Sequence, residues 1–252
     1  MILDRFAGLV FIGDSPLQAI YTSLNILLRG NLALGGLAQW SLSDTDRSTC
    51  RCDQQFTNPN CQASTLHSSA EVLEHDEASP HSSPYACSRI PHIYIPLTDS
   101  APSPAALTAL SNFLASPSGG TASPSSYKPI PIIFSQSLST SLSWPATTAA
   151  MDAVSLAIVS APATRSYPVL WLGPNAAGHL KPPGKILSEG NNALWHFTQE
   201  MGREARSRGW DSLGLYNMTI QASSWDGTGY GMGTGLVQAM AVVGWLALLD
   251  ST

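Results

Sequence analysis

Three polar clusters follow apolar runs directly, and they are where chemistry is easiest to place. Ser15 follows Leu9-Val10-Phe11-Ile12 through Gly13-Asp14, Asn175 follows Tyr167-Pro168-Val169-Leu170-Trp171-Leu172 through Gly173-Pro174, and Asp226 stands in the loop from Tyr216 to Gly231. A serine at a sharp strand-to-helix turn presents its hydroxyl to solvent with the amides of the helix start aimed at whatever binds there, which suits an acyl-enzyme nucleophile. The plain alternative is that Ser15 is an N-cap before Pro16. A serine hydroxyl at neutral pH is a poor nucleophile without an adjacent base. His179, four residues after Asn175 in a Gly/Pro-bounded loop, and His196, beside Trp195 in a helical segment, are the imidazoles considered for that role. His67, His75 and His81 fall among Glu71, Glu74, Asp76 and Glu77. That grouping matches no metal-ligand spacing, and a solvated polar segment is the expected reading.

These residues meet only if the chain builds an open parallel sheet, where ligands bind beyond the carboxyl ends of the strands. The periodicity predicts such a sheet. Strand-like runs at Leu9–Ile12, Ile93–Leu97, Ile130–Phe134, Tyr167–Leu172 and Leu213–Tyr216 alternate with helical stretches. Ser15 and Pro16 open the first helix, in which Leu17, Ile20, Tyr21, Leu24, Leu27 and Leu28 recur at helical spacing. Further helices are expected over Pro104–Ala115 and Thr147–Val159, after a Ser188 cap with a Leu194, Phe197, Met201 and Ala205 stripe, and over Gly231–Leu249. Five strands separated by helices predict an α/β, doubly wound sheet. Residues 1–252 read as one domain. It is interrupted by a Cys-containing insertion at 41–88 and a Ser/Pro-rich linker at 116–128.

Phe11-Ile12-Gly13-Asp14-Ser15, Leu34-Gly35-Gly36-Leu37, Leu172-Gly173-Pro174-Asn175 and Ser224-Trp225-Asp226-Gly227 stand in the order of the sequence blocks of the GDSL/SGNH hydrolases. The chain resembles this superfamily, and more narrowly its PC-esterase branch of polysaccharide O-acetyltransferases and esterases. Cys50-x-Cys52-x-x-Gln-Phe56 is similar to luminal members of that branch. The resemblance implies a three-layer flavodoxin-like fold with a parallel five-stranded sheet, and a hydrolase or acyl transferase acting on a carbohydrate or small oxygenated ester. It makes Ser15 the nucleophile, with its own amide, that of Gly35 or Gly36 and the Asn175 side chain as oxyanion donors. Asp226 would orient the base. Asp14, Gly173, Trp225 and Tyr230 complete the expected substrate site. The family's last block reads Asp-x-x-His, whereas Asp226-Gly227-Thr228 is followed here by Gly229, and Ala176 stands where an Asp usually follows the Asn. His179 is then the substitute base, since such constellations are defined by geometry rather than chain order. A catalytically silent ligand- or glycan-binding protein is the rival reading.

Composition narrows the partners. Charged residues make up 12% of the chain, about half the usual share, and 12 basic against 17 acidic residues give a net charge of −5. No basic run interleaves with aromatics, so a nucleic-acid partner is excluded. No apolar run is long enough to span a bilayer; Leu236 to Leu249 is broken by Gln238 and Gly244. Tyr230-Gly231-Met232-Gly233-Thr234-Gly235 follows no strand directly, which sets aside a dinucleotide site, and no cofactor is expected. Trp171, Trp195, Trp225 and Tyr230 are read as core packing that also walls a pocket. Cys50, Cys52, Cys61 and Cys87 suit two disulfides, with three pairings open. These cysteines and the sequon Asn217-Met218-Thr219 point to the secretory pathway, while Met1 to Gly8 lacks the pattern of a signal peptide and keeps a cytoplasmic location open.

Overall fold

Apolar runs buried on both faces can satisfy their backbone only by pairing side by side, and five do so here. In the computed structural model, which describes residues 5–76, 90–98, 101–116 and 128–249, they form β1 (Leu9–Gly13), β2 (His92–Pro96), β3 (Ile132–Ser135), β4 (Val169–Leu172) and β5 (Asp211–Leu213). All four pairings are parallel and the order is β2-β1-β3-β4-β5. This is the expected flavodoxin-like order, with the direction of winding reversing between β1 and β3. Gly13 ends β1 at that reversal, where a Cβ would lie 2.1 Å from the Ser135 carbonyl oxygen. Only glycine lets the two strand ends approach so closely.

Five helices cover the sheet: α1 (Ser15–Arg29), α2 (Pro104–Ala115), α3 (Trp144–Val159), α4 (Asn191–Ser207) and α5 (Met232–Leu248). Side-chain alternation along β1 sorts them into two layers. Val10 and Ile12 point into a core with Leu110, Leu114, Met151, Val154, Phe197 and Met201 of α2, α3 and α4. Leu9 and Phe11 point the other way, against Leu17, Ile20, Tyr21 and Leu24 of α1 and Ala239, Val242 and Leu246 of α5. Each such large side chain contributes about 1.5–3 kcal/mol by leaving water. The three layers therefore hold the strand ends, and the loops that follow them, in fixed relation.

Several element boundaries differ from expectation. Ser15 is the first helical residue rather than the cap; Asp14 is the N-cap, and its carboxylate makes no capping bond because it turns to the amides of Ser137 and Ser139. Gly190, not Ser188, caps α4, and Ser188 lies in a separate turn of helix, Ile186–Glu189. Strand β5 sits earlier than Leu213–Tyr216, since Tyr216–Thr219 forms a helical turn held by the Thr219 hydroxyl against Leu215 and Tyr216 carbonyls. The described part of the 41–88 insertion is ordered into short helices at Asp44–Thr49, Gln54–Thr57, Pro59–Gln62 and Ser69–Asp76. One disulfide, Cys50–Cys61, closes this region; Cys52 is free and exposed. Cys87, His81 and most of the 116–128 linker lie outside the described residues. Among the described residues no helix is long and apolar enough to cross a membrane, and no group of three metal-ligating side chains forms.

Candidate active site

The loops after β1 and β4 and the segment before α5 converge on one cavity of about 200 Å³ at the carboxyl end of the sheet. Of the residues singled out by sequence, Ser15, Asn175, Trp225, Asp226 and Tyr230 line it. Ser15 is exposed at the first position of α1, and among the described residues its hydroxyl has no hydrogen-bond partner. Asn175 is half-buried, and its Oδ1 accepts from Gln238 Nε2 at 2.6 Å. The remaining walls are Gln18, Gln55, Phe56, Thr228 and Gly229, with Gln238 from α5. No lysine, arginine or histidine faces this space among the described residues, so the cavity suits an uncharged, oxygen-bearing ligand.

Ser15 also borders a second cleft, of about 420 Å³, on the side of Asp14, Tyr94, Ser139, Lys185 and Glu189. Asp14 is buried there. Its Oδ2 accepts from the Ser137 amide at 2.8 Å, while Oδ1 has no partner among the described residues. Burial pushes the Asp14 carboxyl above the usual carboxylate range, and the bonds from Ser137 and Ser139 oppose that shift only in part.

The expected oxyanion glycines are placed differently from Asn175. The Gly36 amide donates to Gln55 Oε1 at 2.9 Å, and the Gly35 amide to the Asn31 carbonyl at 2.8 Å. Gln55 in turn donates to the carbonyls of Leu32, Ala33 and Cys52, tying the disulfide-closed region to the turn after α1. Gly173 continues the β4–β5 ladder through its amide to Leu213. Neither Gly35, Gly36 nor Gly173 lines the Ser15 cavity.

The segment before α5 is fixed from behind. Asp226 Oδ1 accepts from the amides of Thr228 at 2.8 Å and Gly229 at 2.5 Å, closing a tight turn. Lys181 donates to Glu189 at 2.6 Å and to the Thr228 hydroxyl at 3.2 Å, so a buried ammonium pins that turn to the loop after β4. Burial alone would raise the Glu189 pKa, but Lys181 and Lys185 outweigh it and hold the carboxyl below its ordinary range. Gly178 donates to the Gly227 carbonyl, and Gly227 has a φ of 84°. The Tyr230 hydroxyl is used internally, donating to the Ala176 carbonyl at 2.7 Å.

The imidazoles are elsewhere. His179 is exposed and lines a separate cleft of about 560 Å³ with Gly178, Lys181, Asn191 and Gln221. His196 is exposed on α4, and His75 stacks on Trp40 with ring centroids 4.3 Å apart. His92 is buried against Tyr21, with Nδ1 2.7 Å from the phenol oxygen, and burial depresses its pKa to about 3. At Gly229, a Cβ would lie 2.5 Å from Trp225 Nε1 and 2.9 Å from its Cε2. The indole occupies the space into which a side chain at that position would grow.

Gln18, Gln55, Gln238 and Thr228 were not singled out from sequence. Gln238 left a signal, as the polar break in the apolar run Leu236–Leu249; the others are ordinary polar residues whose partners are distant in the chain.

No protein-family model matches the chain, and no curated protein is significantly similar to it. Two solved structures are similar to it at the level of the whole chain. One is a carbohydrate acetylesterase from Sinorhizobium meliloti, with a TM-score of 0.46 and 11% identity over 96% of this chain and 99% of that one. The other is an aryl esterase from M. smegmatis, with a TM-score of 0.46 and 12% identity over 96% of this chain and 100% of that one.

Proposed function

We propose that the cavity beside Ser15 is an SGNH-like site that binds an acyl ester of a carbohydrate or other small oxygenated molecule, and that it turns the ester over only slowly. Ser15 and the Asn175 amide bracket the acyl group, and Trp225 walls it. The observation that carries this reading is the Trp225 indole filling the space next to Gly229, which replaces a base position with a pocket wall. Without a base, an acyl site keeps what oxyanion donors and binding supply, roughly 10³–10⁴-fold over water in serine hydrolases stripped of a triad member. A disulfide inside the chain fits an oxidising compartment, and so does the sequon at Asn217.

The second reading is a competent serine hydrolase or acyl transferase in which His179 is the base and Asp226 its orienting partner. It is favoured by the bond between Gly178 and Gly227, which joins the His179 loop directly to the turn bordering the Ser15 cavity. Labelling with a serine-reactive fluorophosphonate, read by intact mass, separates the two. Slow labelling lost in Ser15→Ala but kept in His179→Ala supports the slow site. Fast labelling lost in both variants supports the second reading. Absence of labelling, together with no change in tryptophan fluorescence on adding p-nitrophenyl acetate, overturns both.

A further inference from the structure

The middle of α5 carries a polar residue that neither packing nor solubility explains. The helix has no charged residue in its 17 positions, and Gln238 is buried within it at 2% exposure. Burying an amide costs free energy unless its polar atoms are used. Gln238 uses one of them on Asn175: its Nε2 donates to Asn175 Oδ1 at 2.6 Å. A side-chain amide has an acceptor and a donor end, and engaging the acceptor end fixes which way the donor end faces. Asn175 lines the Ser15 cavity, and among the described residues its Nδ2 has no protein partner.

We propose that Gln238 is a positioning residue: by holding Asn175 Oδ1, it keeps the Asn175 NH2 as the group presented to the cavity. The cavity therefore offers a donor, and the ligand atom that meets it is an acceptor, the carbonyl oxygen of an acyl group. This rests on the acyl-ester reading and adds to it the polarity of the contact. An Asn175 amide turned the other way would present Oδ1 and repel that same oxygen.

The test uses the full chain, with two variants of nearly equal shape. Gln238→Met has no donor; Gln238→Glu, when ionised, has acceptors only and draws the Asn175 NH2 toward itself. Two readouts are taken: the Asn175 side-chain amide resonances by 15N NMR, and hydrolysis of p-nitrophenyl acetate. Removing an oxyanion donor lowers kcat by about 10²–10³-fold, so turning one aside is expected to lower it by about 10–100-fold with KM changed less than about threefold. The Asn175 resonances should move in both variants. Gln238→Glu should regain activity relative to the parent as pH falls, because a protonated carboxyl donates to Oδ1 again. Taking the ratio to the parent removes the titration of Asp226, which lines the same cavity. Unmoved Asn175 resonances overturn the proposal, as do kcat values equal to the parent's or a Gln238→Glu defect of constant size at every pH. A parent without measurable ester turnover overturns the acyl-ester reading instead, and the NMR arm then decides the role of Gln238 by itself.

Discussion

Restoring a histidine at position 229 should fail alone and succeed only once Trp225 is cut back. An added Cβ at Gly229 would stand 2.5, 2.9 and 3.2 Å from Nε1, Cε2 and Cζ2 of the Trp225 indole. Ordinary contacts between such atoms lie at about 3.5–4.0 Å, so the overlap approaches 1 Å before the imidazole itself is placed. Gly229→His must therefore eject the indole. Overpacking of this kind costs about 1–3 kcal/mol, softened here because Trp225 is 39% exposed and can move outward. Combined with Trp225→Ala, the same substitution gains a vacated wall facing the cavity that Ser15 lines. A positioned base contributes about 10²–10⁴-fold, or roughly 3–5 kcal/mol of barrier at 1.36 kcal/mol per tenfold. The assay is hydrolysis of p-nitrophenyl acetate from pH 5 to 9, with thermal unfolding of each variant. The double variant should gain at least about 100-fold in kcat/KM and acquire a rising limb near pH 6.5, where an imidazole loses its proton. Gly229→His alone should lose stability and gain less than about tenfold. Equal activity in the single and double variants would show that Trp225 obstructs nothing. A double variant at the parent rate without that limb would show that position 229 does not serve Ser15.

Three further outcomes follow from the same geometry. Lys181→Met leaves Glu189 buried with only the longer Lys185 contact at 3.3 Å, and should cost about 3 kcal/mol in urea unfolding. Because the folded Glu189 pKa is lowered from 4.5, its contribution is full above that value and fades as pH falls through the folded pKa; the variant's deficit should shrink in acid accordingly. Asp14 has the opposite sign: its folded pKa is raised from 3.8, so the parent loses stability as pH rises from there through the folded value, and Asp14→Asn should flatten the melting temperature over that window. Replacing Cys50 and Cys61 together by alanine opens a loop with a sequence separation of 11 and should lower stability by about 3 kcal/mol, measured by denaturant titration against the oxidised parent.

The sheet was legible because its signals are local. Leu9–Ile12, Ile93–Leu97 and Pro104–Ala115 carry their period within a few residues, and their elements fall within one or two residues of expectation. Ser15, Asn175 and Asp226 were legible for a related reason, since a parallel sheet collects whatever follows its strands at one end. What failed was anything decided by a partner remote in sequence. Asp14 reads as a cap, but its carboxylate is claimed by amides more than 120 residues away. Gly36 reads as a free oxyanion amide, but Gln55 engages it across 19 residues. Position 229 reads as an empty place, although Trp225 occupies the volume four residues earlier in the chain.

That occupied volume bears on what the cavity is for. A polar cavity is expensive to keep without a ligand: Gln238 in an uncharged helix, Gln55 beneath Gly36, and the buried Lys181–Glu189 pair behind Thr228 could each be exchanged for apolar packing at little cost or some gain in stability. All three act on the cavity's lining, through Asn175, the turn after α1, and the 226–229 turn respectively. A site that had merely lost its histidine would have no physical need of them. The frame that aims Asn175 and holds the turn is intact, whereas the volume beside Gly229 has been given to an indole that adds apolar surface. Binding energy is thereby available for a ligand lying between Trp225 and Ser15, and proton transfer is the step left without a dedicated group.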